Sequence, residues 1–328
     1  MMASFGRDLP DFCADLEIDL EATAAALQID ISVFDDFNAR ISLDKFCRLL
    51  NALATLSDDD GFGVKYGQFS KTGATGPFGF GLSKAPNFKD MLNFYVRYVH
   101  IITDVDSFDL VIEPDRITIE WTFSPLIAQR DQFVDYCAAA VMKLFEYHVG
   151  GPIRLLEAEL ERRPPEDKSE FVSTFSRRIK FNAEINKFVF PVTVLDSVNA
   201  SGDKVAFDYM AHQCEAVSNN LRRKKDIITL LKEDFVKHME STDSAVANVA
   251  RRLGMSERTL QRRLAESDSG FWAVHEETKD ELSMRLLVDT DLPLSEISRK
   301  LGYSSQSAYT RAVKRWHGKS PGQLRDQR

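Results

Sequence analysis

The sequence predicts an α+β N-terminal domain followed by an all-α C-terminal domain of two helix-turn-helix units joined by a long helix. Three observations carry that prediction. Of 23 Phe, 22 lie in residues 1–240 and only Phe271 lies beyond, so an aromatic-rich core precedes one built on Leu, Val, Ile and Ala. Strand-like alternation of apolar and polar residues is confined to the stretch before residue 218. The remainder repeats itself at an offset of 48 to 49 residues, which marks a duplicated supersecondary unit.

The first domain mixes element types. Residues 20–29 and 43–56 read as helices, the second with Leu49, Leu50, Leu53 and Leu56 at helical spacing. Residues 87–103 repeat the pattern, with Phe88, Leu92, Tyr95 and Val99 on one face. "FDLVIEPDRITIEWTF" (108–123) alternates on both sides of a Pro-Asp turn, which signals a hairpin. A helix follows at 131–149, where Phe133, Cys137, Val141 and Phe145 recur every four residues. Residues 179–191 read as strand, turn, strand. These elements make a domain over 1–217, and the basic, polar stretch 218–225 reads as a linker to a second domain over 226–328.

In the second domain, Leu253-Gly254 matches Leu301-Gly302; beyond the turn Ser256 matches Ser305, Arg262 matches Arg311 and Leu264 matches Val313. Each unit reads as a short helix, a turn with a glycine at positive φ, and a helix opened by a capping serine. Val249 and Leu253 face Leu260 and Leu264, which sets two helices at a steep angle. "FWAVHEETKDELSMRLLVD" (271–289) reads as one long helix whose stripe of Phe271, Val274, Thr278, Leu282 and Leu286 packs on both units. Its length, roughly 27 Å at 1.5 Å per residue, suits two recognition helices about one DNA turn apart.

Charge sharpens that reading. The whole chain carries −8. Residues 241–265 nevertheless hold five Arg against Asp243 and Glu257, and 299–328 hold eight Lys or Arg against Asp326 alone. The intervening 266–298 hold two basic and nine acidic residues, so positive charge sits in the two units. With Leu260 and Leu264 inward, the second helix of the first unit exposes Arg258, Gln261, Arg262 and Ala265. With Tyr309 and Val313 inward, its counterpart exposes Ser307, Thr310, Arg311 and Lys314. Arg bonds a guanine edge, Gln an adenine edge, and Ser or Thr serves either. Arg251, Arg252, Arg299, Lys300, Lys314, Arg315 and Lys319 are placed for phosphates, which position without specifying.

"VARRLGMSERTLQRRLAES" with "LGYSSQSAYTRAVKRWHGKSPGQLR" closely resembles the C-terminal domain of AraC/XylS transcription regulators, over about 226–328. The resemblance makes "IITLLKEDFVKHM" the first helix. It implies base-facing positions at Ser256, Arg258, Gln261 and Arg262, and at Gln306, Ser307, Thr310 and Arg311. "GPFGFGLSKAPNFKDMLNFYVRYVHIITD" and "IKFNAEINKFVFPVTVLD" resemble the arabinose-binding-type sensor domain of the ornithine-utilisation regulator branch. That implies an effector-sensing N-terminal domain without naming the effector. The expected partners are double-stranded DNA, RNA polymerase and a small-molecule effector; homodimerisation is left open.

Other signals point to nothing further. No apolar run approaches the roughly 18 residues of a membrane span, and no basic start leads into an apolar segment, so a soluble, cytoplasmic protein is expected. Cys13, Cys47, Cys137 and Cys214 are far apart and read as free thiols. No histidine has metal-ligand spacing, and no nucleophile–base constellation assembles. No metal, cofactor or catalytic activity is therefore expected. "DDDG" (58–61) lacks a calcium-loop spacing and reads as a solvated loop. "GPFGFG" (76–81) lacks a phosphate-loop ending and reads as a tight turn or pocket wall. Tyr95, Tyr98 and His100 read first as core aromatics and second as pocket lining. Two rivals stay open: a ligand-blind dimeric DNA binder, and an enzyme under DNA-linked control.

Overall fold

The computed structural model describes residues 1–37, 39–71, 75–124, 127, 129–224, 227–240, 245–267 and 269–326. The chain divides into two compact units, the first of residues 1–123 with 129–220, the second centred on 221–328. Unit 1 begins with α1 (Leu9–Asp15), α2 (Leu20–Ala26), α3 (Leu43–Leu56), α4 (Phe62–Phe69), α5 (Gly76–Lys84) and α6 (Phe88–Tyr98). The hairpin β1 (Val105–Ile112) and β2 (Arg116–Phe123) follows, then α7 (Asp131–Val149), β3 (Glu157–Glu159) and α8 (Ser169–Thr174). β4 (Ile179–Lys180), β5 (Asn186–Pro191) and α9 (Lys204–Lys224) complete the order.

The five strands form one sheet in the order β1-β2-β5-β3-β4, antiparallel except for the parallel pair β3 and β4. Alternation in β2 buries Ile117, Ile119, Trp121 and Phe123 on one face, and Ile117 and Ile119 lie opposite Phe190 and Phe188 of β5. Residues 179–191 do supply two strands, but these pair with β3 and β2 rather than with each other. Along α7, Phe133 and Phe145 are fully buried while Cys137 and Val141 border a pocket. α4 packs on α7 at very close range: a Cβ on Gly63 or Gly67 would meet the Gln132 or Tyr136 carbonyl oxygen at 2.2 or 2.6 Å.

Several boundaries differ from the sequence expectation for local reasons. α2 stops at Ala26 because Gln28 turns to φ 55°. Helical spacing through 103 breaks at Tyr98, after which Val99–Ile101 tighten into a 3-10 turn. Leu56, expected in the stripe of α3, is 60% exposed at the helix end. "GPFGFG" is the body of helix α5 and not a tight turn, opened by Pro77 in the first turn where its missing N–H costs nothing. The stretch expected as a linker is helical to Lys224, and it contains no Gly or Pro to break α9; Lys225 and Asp226 lie outside the described residues.

The "DDDG" loop is not merely solvated. Arg162, 1% exposed, donates to both carboxylate oxygens of Asp60 at 3.0 Å and to Asp135 Oδ2 at 2.7 Å, and its Nε donates to the Arg163 carbonyl. Asp135 is fully buried, and burial pushes its carboxyl well above the usual carboxylate range despite the guanidinium. A buried guanidinium thus pins the 58–61 loop to α7.

Unit 2 holds α10 (Ile227–Lys237), α11 (Val246–Arg252), α12 (Glu257–Glu266), α13 (Phe271–Asp289), α14 (Leu294–Lys300), α15 (Gln306–His317) and α16 (Pro321–Arg325). One apolar cluster joins them, from Leu231 and Phe235 through Leu260 and Leu264 to Leu282, Leu286, Tyr309 and Val313. α13 spans 271–289 as expected, and it packs directly on α14, α15 and α16. It reaches the first helix-turn-helix mainly through α10, which carries α11 and α12.

Two stability tests follow. Arg162→Met leaves Asp135 buried and unpaired, so unfolding near neutral pH should become easier by about 3–5 kcal/mol. Denaturant titration checks this, and Asp135→Leu in the same chain should recover much of the loss. Glu159 of β3 accepts from Lys187 of β5 and Lys180 of β4, which hold its carboxyl at about 2. A depressed folded pKa means stability that is complete above the ordinary 4.5 and lost as pH falls through about 2. Glu159→Gln should therefore lower the denaturation midpoint near neutrality, and its deficit should close across that acid window.

Candidate nucleic-acid interface

The two turns are built alike. Gly254 and Gly302 sit at φ 68° and 69°, where a side chain is strained. The Gly254 N–H donates to Arg251 O at 3.0 Å and the Met255 N–H to Ala250 O at 2.9 Å. The Gly302 and Tyr303 N–H groups repeat this onto Arg299 O and Ser298 O at 2.9 and 3.0 Å. Both are Schellman closures. Ser256 then caps α12 by accepting from Thr259 N, and Ser305 caps α15 by accepting from Ala308 N, each at 3.2 Å. The additional residue in the second unit, Ser304, lies between closure and cap.

Identical turns present corresponding faces. Leu260, Leu264, Tyr309 and Val313 are buried. Arg258, Gln261 and Arg262 of α12 and Gln306, Ser307 and Arg311 of α15 are exposed, and Thr310 is half-buried. The Tyr309 hydroxyl and Ser283 Oγ of α13 lie 2.9 Å apart in the core and fix the rotation of α15. Ser256, expected to face a base, uses its hydroxyl on the cap and on Thr259 Oγ1 at 2.9 Å. Arg262 donates to Glu266 at 2.6 Å, an exposed i,i+4 pair worth less than about 1 kcal/mol and readily exchanged for a base edge.

The expected phosphate set separates. Arg252 turns inward and gives its fork to buried Asp234 at 2.8 and 2.7 Å, which ties α11 to α10. Arg251 donates to Asn248, Arg299 to Glu240 at 2.7 Å and Arg315 to Glu276 at 2.5 Å, all on the surface. Lys314 and Lys319 are exposed and Lys300 is half-buried. Glu266 was recoverable from its spacing to Arg262. Asp234, Glu240 and Glu276 were not, since tertiary packing brings them to their arginines. The acidic α13 also holds His317 through Asp280 at 2.5 Å and Lys232 through Glu281 at 2.7 Å.

In unit 1, Tyr95 borders the pocket between α4, α5, α6 and α7. Tyr98 and His100 instead bond Glu215 and Ser218 of α9, at 3.1 and 2.8 Å. All four cysteines are free. Among the described residues no group of three His, Cys, Asp or Glu could hold a metal, and no helix is long and apolar enough to cross a membrane.

Residues 249–327 match a family model described as a helix-turn-helix domain. Residues 18–198, more than half of the chain, match the arabinose-binding domain of AraC transcription regulator, N-terminal. The chain belongs to the AraC family of transcription regulators. It is a DNA-binding regulator, with α12 and α15 as the second helices of its two helix-turn-helix units. This AraC-family chain is similar to the ornithine utilization regulator of Pseudomonas aeruginosa, 22% identical over 98% of this chain and 95% of that protein. The HTH-type transcriptional regulator VqsM of the same organism is 25% identical over 80% of this chain and 83% of its own. VirS of Mycobacterium tuberculosis is 42% identical over 24% of this chain and 23% of its own. Among solved structures, the transcriptional regulator CdpR from Pseudomonas aeruginosa is 19% identical with a TM-score of 0.44, over 94% of this chain and 96% of that one.

The two turns of this AraC-family regulator differ in tolerance. A Cβ on Gly302 would meet Met239 O at 2.3 Å, whereas one on Gly254 meets nothing within 4 Å. Gly254→Ala should cost only the left-handed strain, about 1–2 kcal/mol. Gly302→Ala should cost clearly more and displace α14 from the end of α10. Side-by-side denaturation of the two variants measures the difference; equal losses would mean that the Met239 contact yields freely.

Proposed function

We propose that this chain is a sequence-specific, effector-responsive regulator whose helices α12 and α15 enter adjacent major grooves on one face of the duplex. The observation that carries the reading is the pair of matching Gly–Ser turns, which present Arg258, Gln261 and Arg262, and Gln306, Ser307, Thr310 and Arg311, from one shared core. On this reading those side chains contact base edges. Arg251, Arg299, Lys300, Lys314, Arg315 and Lys319 engage phosphates, and Arg252 is left out because Asp234 occupies it. An effector held by unit 1 shifts the population of the DNA-binding state, and RNA polymerase is the protein partner in the cytoplasm.

Selection of bound sequences from random DNA, followed by affinities at two salt concentrations, tests the assignment. Arg262→Ala and Arg311→Ala should each cost about 1–3 kcal/mol and relax preference at one base position. Lys300→Ala should weaken all sequences alike and reduce the salt slope by about one. Uniform loss from all three variants would reject base readout by α12 and α15.

A further inference from the structure

The two reading helices carry opposite charge at one equivalent position. Both turns close and cap alike, so each residue of α12 corresponds to the one 49 further along the chain. Buried Leu260 and Leu264 correspond to buried Tyr309 and Val313, and Arg262 to Arg311. On the same register Glu266 corresponds to Arg315. Glu266 stands four residues after Arg262 and accepts from its Nη1 at 2.6 Å, both side chains being well exposed. Arg315 cannot do this for Arg311, and its own guanidinium is drawn to Glu276 of α13. Arg311 meets no carboxylate among the described residues. The outward arginine of α12 is thus held before DNA arrives, whereas its counterpart in α15 is not. A second exposed carboxylate of α12, Glu257 at the opposite end, meets no arginine among the described residues.

We infer that Glu266 is a positioning residue for base readout: it withholds Arg262 from phosphates and yields it to a matching base edge, which makes α12 the more discriminating reader. The inference rests on the base-contact reading above and extends it to a residue that touches no base. A guanine edge presents two acceptors in the plane of the guanidinium fork, enough to displace a single carboxylate bond. Phosphates stand along every duplex and carry no sequence information. For Arg262 to reach one, the pair must break and leave the Glu266 carboxylate close to a second anion. On unmatched DNA, Arg262 keeps Glu266 and α12 gains little. Arg311 has no such competitor and takes a phosphate on any sequence, so α15 adds affinity with less selectivity. Exposed i,i+4 pairs are weak, so the effect on discrimination is a few-fold. A merely structural role predicts a different outcome, because losing a helix-stabilising pair would loosen α12 and weaken binding to every sequence.

The test is titration of the full chain with its selected duplex and with random duplex at two salt concentrations. Glu266→Gln should tighten random DNA about five- to tenfold at 0.1 M salt and selected DNA only about twofold. Discrimination should therefore fall about three- to fivefold, and the salt slope on random DNA should steepen by about one as Arg262 neutralises a phosphate. Glu266→Asp keeps the charge and should keep the discrimination. Glu257→Gln removes the same charge without freeing an arginine, and should move both duplexes by the same factor. In an Arg262→Ala background, Glu266→Gln should no longer change discrimination. Unchanged discrimination in Glu266→Gln, weaker binding to both duplexes, an equal fall from Glu257→Gln, or a fall that persists without Arg262 would overturn the inference. Failure of the underlying reading looks different. If Arg262→Ala leaves preference intact at every base position, readout by Arg262 is rejected whatever Glu266 does. If Arg262→Ala relaxes one position while Glu266→Gln leaves discrimination unchanged, only the role of Glu266 falls.

Discussion

Neither helix-turn-helix unit has enough apolar surface to stand alone, and the arrangement of unit 2 follows from that shortage. α11 and α12, like α14 and α15, bury only a few large side chains between themselves. Both pairs therefore share one cluster with α10 and α13. The Ser283–Tyr309 hydrogen bond and the Arg252–Asp234 fork lock one helix of each pair onto that common core. Recognition faces are outward because the inward faces are committed. The spacing of the two readers is a property of the shared core and not of either unit.

Electrostatics is layered onto this frame. The acidic run between the units is folded against the basic helices, with Glu276 on Arg315 and Asp280 on His317. Such surface pairs contribute little and are screened by salt. They keep exposed arginines ordered and soluble without holding them strongly, so phosphate can replace the carboxylate. The buried Asp234 is of another kind: removing its partner would strand a charge, so Arg252 is structural.

Unit 1 uses the same distinction in its own core. Arg162 is surrounded by Asp60, Asp135 and carbonyl oxygens, so an otherwise costly buried charge becomes a tie between a loop and α7. Elsewhere in the unit, Ser4 and Thr103 bury hydroxyls that bond nothing among the described residues.

Sequence by itself determined the local features of this regulator. The period of apolar residues set α3, α7, α13 and the β1–β2 hairpin almost to the residue, because those patterns are written within a few turns of chain. The repeated glycines and serines set both turns, since positive φ and an N-cap are properties of single residues. The outward arginines of α12 and α15 followed from the same periodicity. Tertiary structure alone decided which positive charges remain available, because Asp234, Glu240 and Glu276 are distant in sequence from the arginines they meet. It also decided that "DDDG" closes on Arg162, that β4 and β5 do not pair, and that Tyr95 rather than Tyr98 or His100 faces a pocket. Pairing, charge neutralisation and pocket shape depend on which distant segments meet, and no local pattern encodes that.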